Sequence, residues 1–184
     1  MTLEPKKYQI IYADPPWKYN FSPSNKAKIE QYYETMTYVE IAALPVSTIA
    51  AKNCILYLWA TSPKIVEALH VMKTWGFTYK THAIWDKDTV GMGYWFLGQH
   101  ELLLVGTKGK MSPPKAKFRV SSIYPETKTR HGVKPAYFRQ LITRSFPTLV
   151  KIELFARQKT EGWDVWGNEV ESDIVLNVPV QIVK

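Results

Sequence analysis

At 184 residues with 46% hydrophobic content, the chain can bury one sizeable core and has too little material for two. It holds no apolar run long enough to cross a bilayer, Met1 to Lys7 lead into a strand pattern and not a signal-peptide core, and its single cysteine, Cys54, excludes an internal disulfide and a cysteine-rich zinc site. The formal net charge is +8, of which +7 falls between Thr107 and Lys134, so the rest of the chain is close to neutral. These features lead us to expect a soluble, cytoplasmic protein with one polyanion-binding surface.

Short apolar runs alternate with amphipathic stretches from one end to the other, which predicts an α/β domain with a mostly parallel sheet. The first strand is Tyr8 to Ala13, and it runs straight into Asp14. In open α/β sheets the functional residues lie just past the carboxyl ends of strands, so Asp14 stands where an active site would form. Lys18 to Met36 is a polar and aromatic loop long enough to act as a lid, and Thr37-Tyr38-Val39-Glu40 fits a capping box that opens a short helix.

A second strand, Asn53 to Ala60, carries Cys54 in an apolar run, where a buried and inert thiol is expected. Ser62-Pro63 then opens a helix whose buried stripe is predicted at Ile65, Leu69 and Met72, ending before Gly76. Strands are predicted at Phe77 to Trp85 and His100 to Gly106, separated by the glycine- and aromatic-bearing stretch Asp86 to Gln99. The basic tract follows, with Lys108, Lys110, Lys115, Lys117, Arg119, Lys128, Arg130 and Lys134 against one acid, Glu126. Such a tract suits phosphate contacts, because each phosphate neutralised there releases a counterion. Lys134-Pro135 opens a helix with Phe138, Leu141, Ile142 and Phe146 at helical spacing, and strands at Val150 to Ala156 and around Trp163 to Gly167 complete the pattern.

The string Asp14-Pro15-Pro16-Trp17 carries the chemistry. A carboxylate next to a carbonyl held by two successive prolines makes two acceptors aimed at one place, and a tryptophan adds a flat wall. An exocyclic amine of adenine needs such acceptors, because its lone pair is delocalised into the ring and its hydrogens must be held while it attacks. With an unperturbed carboxylate pKa of about 3.9, Asp14 is too weak to deprotonate that amine beforehand, so its expected role is orientation and stabilisation of the positive charge that develops on nitrogen. Trp17 could then stack on a base taken out of its helix.

The set Tyr12-Ala13-Asp14-Pro15-Pro16-Trp17, Tyr33-Glu34-Thr35-Met36, Leu102 to Gly109, His131-Gly132-Val133-Lys134-Pro135, Lys151 to Arg157 and Gly162 to Glu169, in that order, resembles the MT-A70 family of N6-adenine methyltransferases. The resemblance spans residues 8 to 169 and is nearest to the small bacterial and phage members. It implies a Rossmann-like methyltransferase fold in permuted order, with the catalytic strand before the cofactor strand and helices on both faces. It also implies S-adenosylmethionine as cofactor and S-adenosylhomocysteine as product. By that resemblance Lys134 would pair with the carboxylate of the cofactor, a role suited to a point charge, while Asp14 would also face the cofactor. Phe155 would lie against its adenine, and Arg157, Asn168 and Glu169 would hold the ribose edge. Glu153 would serve as a partner of Arg157 or as a direct ligand.

Tyr33 matches a family tyrosine near the target base, and with Trp17, Lys108, Lys110, Lys115, Lys117, Arg119, Arg130 and His131 it makes up the expected substrate-binding set. Two departures bear on this. Bacterial members often carry His-Ser-Arg-Lys-Pro where this chain has His131-Gly132-Val133-Lys134-Pro135, leaving Arg130 as the candidate substitute for a missing arginine. Long eukaryotic members place cofactor contacts upstream of the catalytic strand, and with seven residues before Tyr8 those contacts are expected to be absent or to come from elsewhere. His82, His100 and His131 are not spaced as a metal site, and methyl transfer from a sulfonium requires no metal.

Residues 1–169 are therefore expected to form the methyltransferase domain and 170–184 an apolar tail that pairs with its own sheet edge or with a second subunit, making a homodimer or a complex with a related partner. The expected substrate is DNA, with RNA as the alternative. A non-catalytic nucleic-acid-binding subunit is the alternative from another class.

Overall fold

The structure, a computed structural model, describes residues 6–19, 34–91, 93, 95–128 and 132–176. Seven strands form one sheet: β1 (Tyr8–Ala13), β2 (Ala50–Ala60), β3 (Thr78–Asp86), β4 (His100–Lys108), β5 (Ile123–Pro125), β6 (Lys151–Leu154) and β7 (Asp164–Trp166). Their spatial order is β5-β3-β4-β2-β1-β6-β7. β1 is parallel to both β2 and β6, β6 to β7 and β3 to β5, whereas β4 is antiparallel to its neighbours β2 and β3. Six strands thus point one way and β4 the other, which gives the mostly parallel sheet that the sequence predicts.

Helices cover both faces. On one side α1 (Tyr38–Ala43), α2 (Val46–Ile49) and α3 (Ile65–Thr74) bury Ile41, Val46, Ile49, Ala68, Val71 and Met72 against Ile11, Ala13, Leu56, Leu58 and Leu104. On the other, α4 (Ala136–Ser145) buries Phe138 and Ile142 against Ile10, Tyr12, Ile55, Tyr57, Trp59 and Leu103. Alternate residues of β1 and β2 feed opposite cores, which is why those strands read as unbroken apolar runs. Cys54 is buried in the first core, and burial pushes its thiol up to about 12, so it is inert near neutral pH.

The Thr37 hydroxyl accepts from the Glu40 amide and the Glu40 carboxylate accepts from the Thr37 amide, so α1 opens on the predicted capping box. α3 departs from expectation. Pro63 opens a 3-10 turn, Ser62–Lys64, and the buried stripe of the helix after it is Ala68, Val71 and Met72, while Leu69 is exposed. Gly106 of β4 faces this stripe, and its missing Cβ makes room for the Met72 thioether. A Cβ there would sit 2.7 Å from Met72 Sδ. Gly106→Ala is accordingly expected to overpack the core and cost about 1–3 kcal/mol, read as a fall in Tm of about 2–4 °C per kcal/mol by thermal denaturation.

α2, β5 and a second 3-10 turn at Ala116–Phe118 were not predicted; the last two lie within the basic tract. The described start of the tail folds back along β7. The Asp173 amide donates to the Val165 carbonyl and its carboxylate accepts from the Val165 amide, each at 2.9 Å, while Leu176 is buried in the first core. Residues 177–184 lie outside the described residues. Among the described residues, no helix is long and apolar enough to cross a membrane and no cluster of His, Cys, Asp or Glu could hold a metal ion.

Candidate active site

The carboxyl ends of β1, β2, β6 and β7 open into one cleft of about 950 Å³, lined among others by Asp14, Trp17, Thr61, Glu101, Lys134, Phe155, Arg157, Asn168 and Glu169. Because β4 runs against its neighbours, it is the amino end of that strand that reaches this edge. Glu101 is thereby brought beside Asp14, although the sequence reading gave it no role.

A largely buried cation joins the two carboxylates. The Lys134 ammonium lies 2.8 Å from Asp14 and 3.3 Å from Glu101, and 5.6 Å from the centre of the Trp59 ring. Trp59 itself is fixed by its indole N–H donating to the Tyr12 hydroxyl at 2.6 Å. Burial works to lower the Lys134 pKa, but Asp14 and Glu101 outweigh it, so the net shift is upward and the ammonium stays charged. Burial pushes Asp14 above the usual carboxylate range, opposed by Lys134. Lys87 reaches Glu101 from the other side at 3.5 Å.

The Asp14–Trp17 loop is tied at both ends. The Trp17 amide donates to the Pro15 carbonyl at 2.9 Å, the Met36 amide to the Pro16 carbonyl at 2.7 Å and the Lys18 amide to the Met36 carbonyl at 2.8 Å. Pro15 keeps one lone pair for another donor, since a carbonyl oxygen has two. Trp17 lines the cleft but is 6% exposed, and its indole N–H donates to the Trp59 carbonyl at 3.0 Å. Its indole is held against the core, so Trp17 forms a fixed wall of the cleft.

At the opposite side of the cleft, Phe155 directly follows β6 with φ +62°, a left-handed conformation that costs a non-glycine residue about 1–3 kcal/mol. Its ring meets Trp166 edge-on at 5.3 Å. Gly167 is required beside it, because a Cβ there would run into the Ala156 carbonyl. Arg157 pairs with Glu169 at 3.5 Å, and Asn168 and Glu169 are exposed along the rim. Gly132, at φ +73°, leaves room for the Arg157 guanidinium, from which a Cβ would be only 2.8 Å away. Arg157 therefore packs over the segment whose family arginine is replaced by Val133. Glu153 lies behind this wall, and its ion pair is with Arg139 of α4 at 2.6 Å, in place of the expected pairing with Arg157.

The basic tract is divided by the direction of β4. Lys108 pairs in register with Cys54, whereas Leu102 pairs with Ala60 at the cleft end, so Lys108 lies roughly 20 Å away along the strand. Its ammonium reaches the Ser47 carbonyl at 3.4 Å, and the Lys110 amide donates to Asn53 at 2.8 Å. Both are at the opposite end of the strands from the cleft. Lys115, Lys117 and Arg119 surround the exposed 3-10 turn, and none of them lines the cleft. Tyr33, Arg130 and His131 lie outside the described residues.

The MT-A70 family model matches residues 8–169. The chain is 38% identical to the Type II methyltransferase M.MunI of a Mycoplasma species, over 97% of this chain and 84% of that protein. It is 28% identical to the N(6)-adenosine-methyltransferase MT-A70-like protein of Drosophila melanogaster and to the human N(6)-adenine-specific methyltransferase METTL4, over 90% of this chain in each case but only 27% and 38% of those proteins.

Proposed function

Because the chain belongs to the MT-A70 family of methyltransferases, we propose that it moves the methyl group of S-adenosylmethionine to the exocyclic N6 amine of adenine in DNA. The observation that carries this reading is the Asp14 carboxylate, delivered by β1 into a cleft of about 950 Å³ and held by Lys134. The preference for DNA rests on the higher identity to M.MunI, which this chain spans over most of its length, compared with the adenosine and adenine methyltransferases of animals.

The donor set fits the methyl donor. Lys134 offers a cation to a carboxylate, Asp14 and Glu101 offer negative charge to an ammonium and a sulfonium, Phe155 offers an aromatic edge, and Asn168 and Glu169 offer polar groups to ribose hydroxyls. When bound, S-adenosylmethionine supplies a methyl on an already activated sulfur. Asp14 accepts a hydrogen bond from the target amine, counters the charge that builds on nitrogen and takes the proton that the methylated, now acidic nitrogen sheds, while the free lone pair of the Pro15 carbonyl accepts a second hydrogen bond. Trp17 holds the loop that aims these acceptors. A carboxylate that competes for Lys134 would loosen its hold on Asp14 and free an oxygen for the amine.

Asp14 must be ionised to accept in this way, and its pKa is raised. Transfer is therefore expected to fall as pH drops through a midpoint above the ordinary carboxylate value of about 3.9, as read from the acid limb of a kcat/KM profile. A limb at or below that value would contradict the role given to Asp14. The function itself is tested by incubating the chain with tritiated S-adenosylmethionine and matched DNA and RNA oligonucleotides, then separating the nucleosides. Label in N6-methyldeoxyadenosine is expected. Label confined to RNA would overturn the DNA assignment, and no label together with no calorimetric binding of the cofactor would identify a non-catalytic subunit.

A further inference from the structure

Resting on the reading of a nucleic-acid substrate, we infer that the loop between β3 and β4 is a wedge that inserts Trp95 and Phe96 into the base stack beside the target adenine. Trp95 is 93% exposed and Phe96 90%, whereas Trp17, Trp59, Trp75, Trp85 and Trp163 are buried and Trp166 is partly so. Full exposure of two adjacent large aromatic rings is costly unless something covers them in use.

The loop is built to present them. Its base is closed by the Lys87 amide donating to the Gln99 carbonyl at 2.9 Å and the Gly91 amide to the Gly98 carbonyl at 2.8 Å. The Gln99 side-chain amide and the Asp88 backbone amide both donate to Asp86, at 2.9 and 3.0 Å. Gly93 and Phe96 lie so close together that a Cβ on Gly93 would run into the Phe96 carbonyl. The aromatic pair thus rides on a tied turn.

Its place and charge indicate the occupant. The loop leaves β3 and enters β4 at the cleft edge, where Lys87 and Glu101 both line the cavity. No acidic residue occurs from Thr89 to His100, so the tip carries nothing that repels a phosphate backbone. Lys128 is exposed two residues beyond the bond from the Glu126 amide to the Asp86 carbonyl and adds a cation on the same edge. The chemistry also creates a vacancy for such a device. An adenine in a duplex must leave its stack to reach Asp14, and Trp17 is locked in the core and cannot fill the gap.

The test compares the native chain with Trp95→Ala and Phe96→Ala, both substitutions of side chains at least 90% exposed, on a duplex with a paired target adenine and on one whose target faces an abasic site. We expect kcat/KM on the paired duplex to fall at least about tenfold and to recover to within about threefold of native on the abasic-opposed duplex, where the base is already free. A 2-aminopurine placed at the target should brighten with the native chain and not with the variants. Equal loss on both duplexes, no loss on either, or a fall in oligomeric mass by light scattering would overturn the wedge, the last by assigning the rings to a protein interface. Should the native chain bind the duplex yet transfer no methyl, the proposed reaction fails and the 2-aminopurine comparison still decides the wedge.

Discussion

Replacing Asp14 with asparagine is expected to slow methyl transfer by about 100-fold or more while leaving the fold intact, because the amide keeps the shape and loses the charge that holds the amine in its reactive form. The buried surroundings make that charge count. Asp14 shares Lys134 with Glu101 and its side chain is only 22% exposed, so a charge aimed at the reacting nitrogen acts with less screening than in water. Removing it does not orphan Lys134, which keeps Glu101 at 3.3 Å, so little change in Tm is expected. Single-turnover transfer of a tritiated methyl, with cofactor binding measured separately, separates the two effects. The loss should appear in the chemical step and far less in the affinity for S-adenosylmethionine.

Lys134→Ala should behave in the opposite way, with stability and cofactor affinity failing together. The Lys134 side chain is 13% exposed and carries the cation that both carboxylates share, so its removal leaves Asp14 and Glu101 as like charges in a partly buried site. Breaking a buried pair in this manner costs about 3 kcal/mol, which for a chain of this size is a fall in Tm of about 6–12 °C. Restoring part of that loss with Glu101→Gln in the same chain would show that carboxylate repulsion, and not lost packing, is responsible. Affinity for S-adenosylmethionine should drop at least about tenfold in the single variant and stay low in the double one, because the charge offered to the cofactor carboxylate is missing in both. Unchanged affinity would place that carboxylate elsewhere.

Asp14 could be located from the sequence for one physical reason: it follows an apolar strand directly, and in a mostly parallel sheet the carboxyl ends of strands share the edge where sites form. The same logic failed for β4. His100 to Lys108 has an apolar pattern that reads identically in either direction, so nothing local shows that the strand runs against the others. That reversal carries Glu101 into the cleft and Lys108 to the far edge. That the Trp17 ring is fixed was not legible, because the acceptor that holds its indole, the carbonyl of Trp59, is 42 residues away in the chain. Glu153 was expected to partner Arg157 or to act as a direct ligand, and its pairing with Arg139 depends on which face α4 turns to β6, which the sequence does not show. Gly132 is a departure from the family string that the structure makes intelligible, since its left-handed backbone and absent side chain accommodate Arg157.

A crystal structure of the chain with S-adenosylhomocysteine and an adenine-bearing oligonucleotide measures the central contact directly. The account predicts the adenine N6 within about 3 Å of an Asp14 carboxylate oxygen, on the side facing the cofactor sulfur. An adenine seated in the cleft with its N6 beyond hydrogen-bond reach of Asp14, and that carboxylate still engaged only by Lys134, would contradict it.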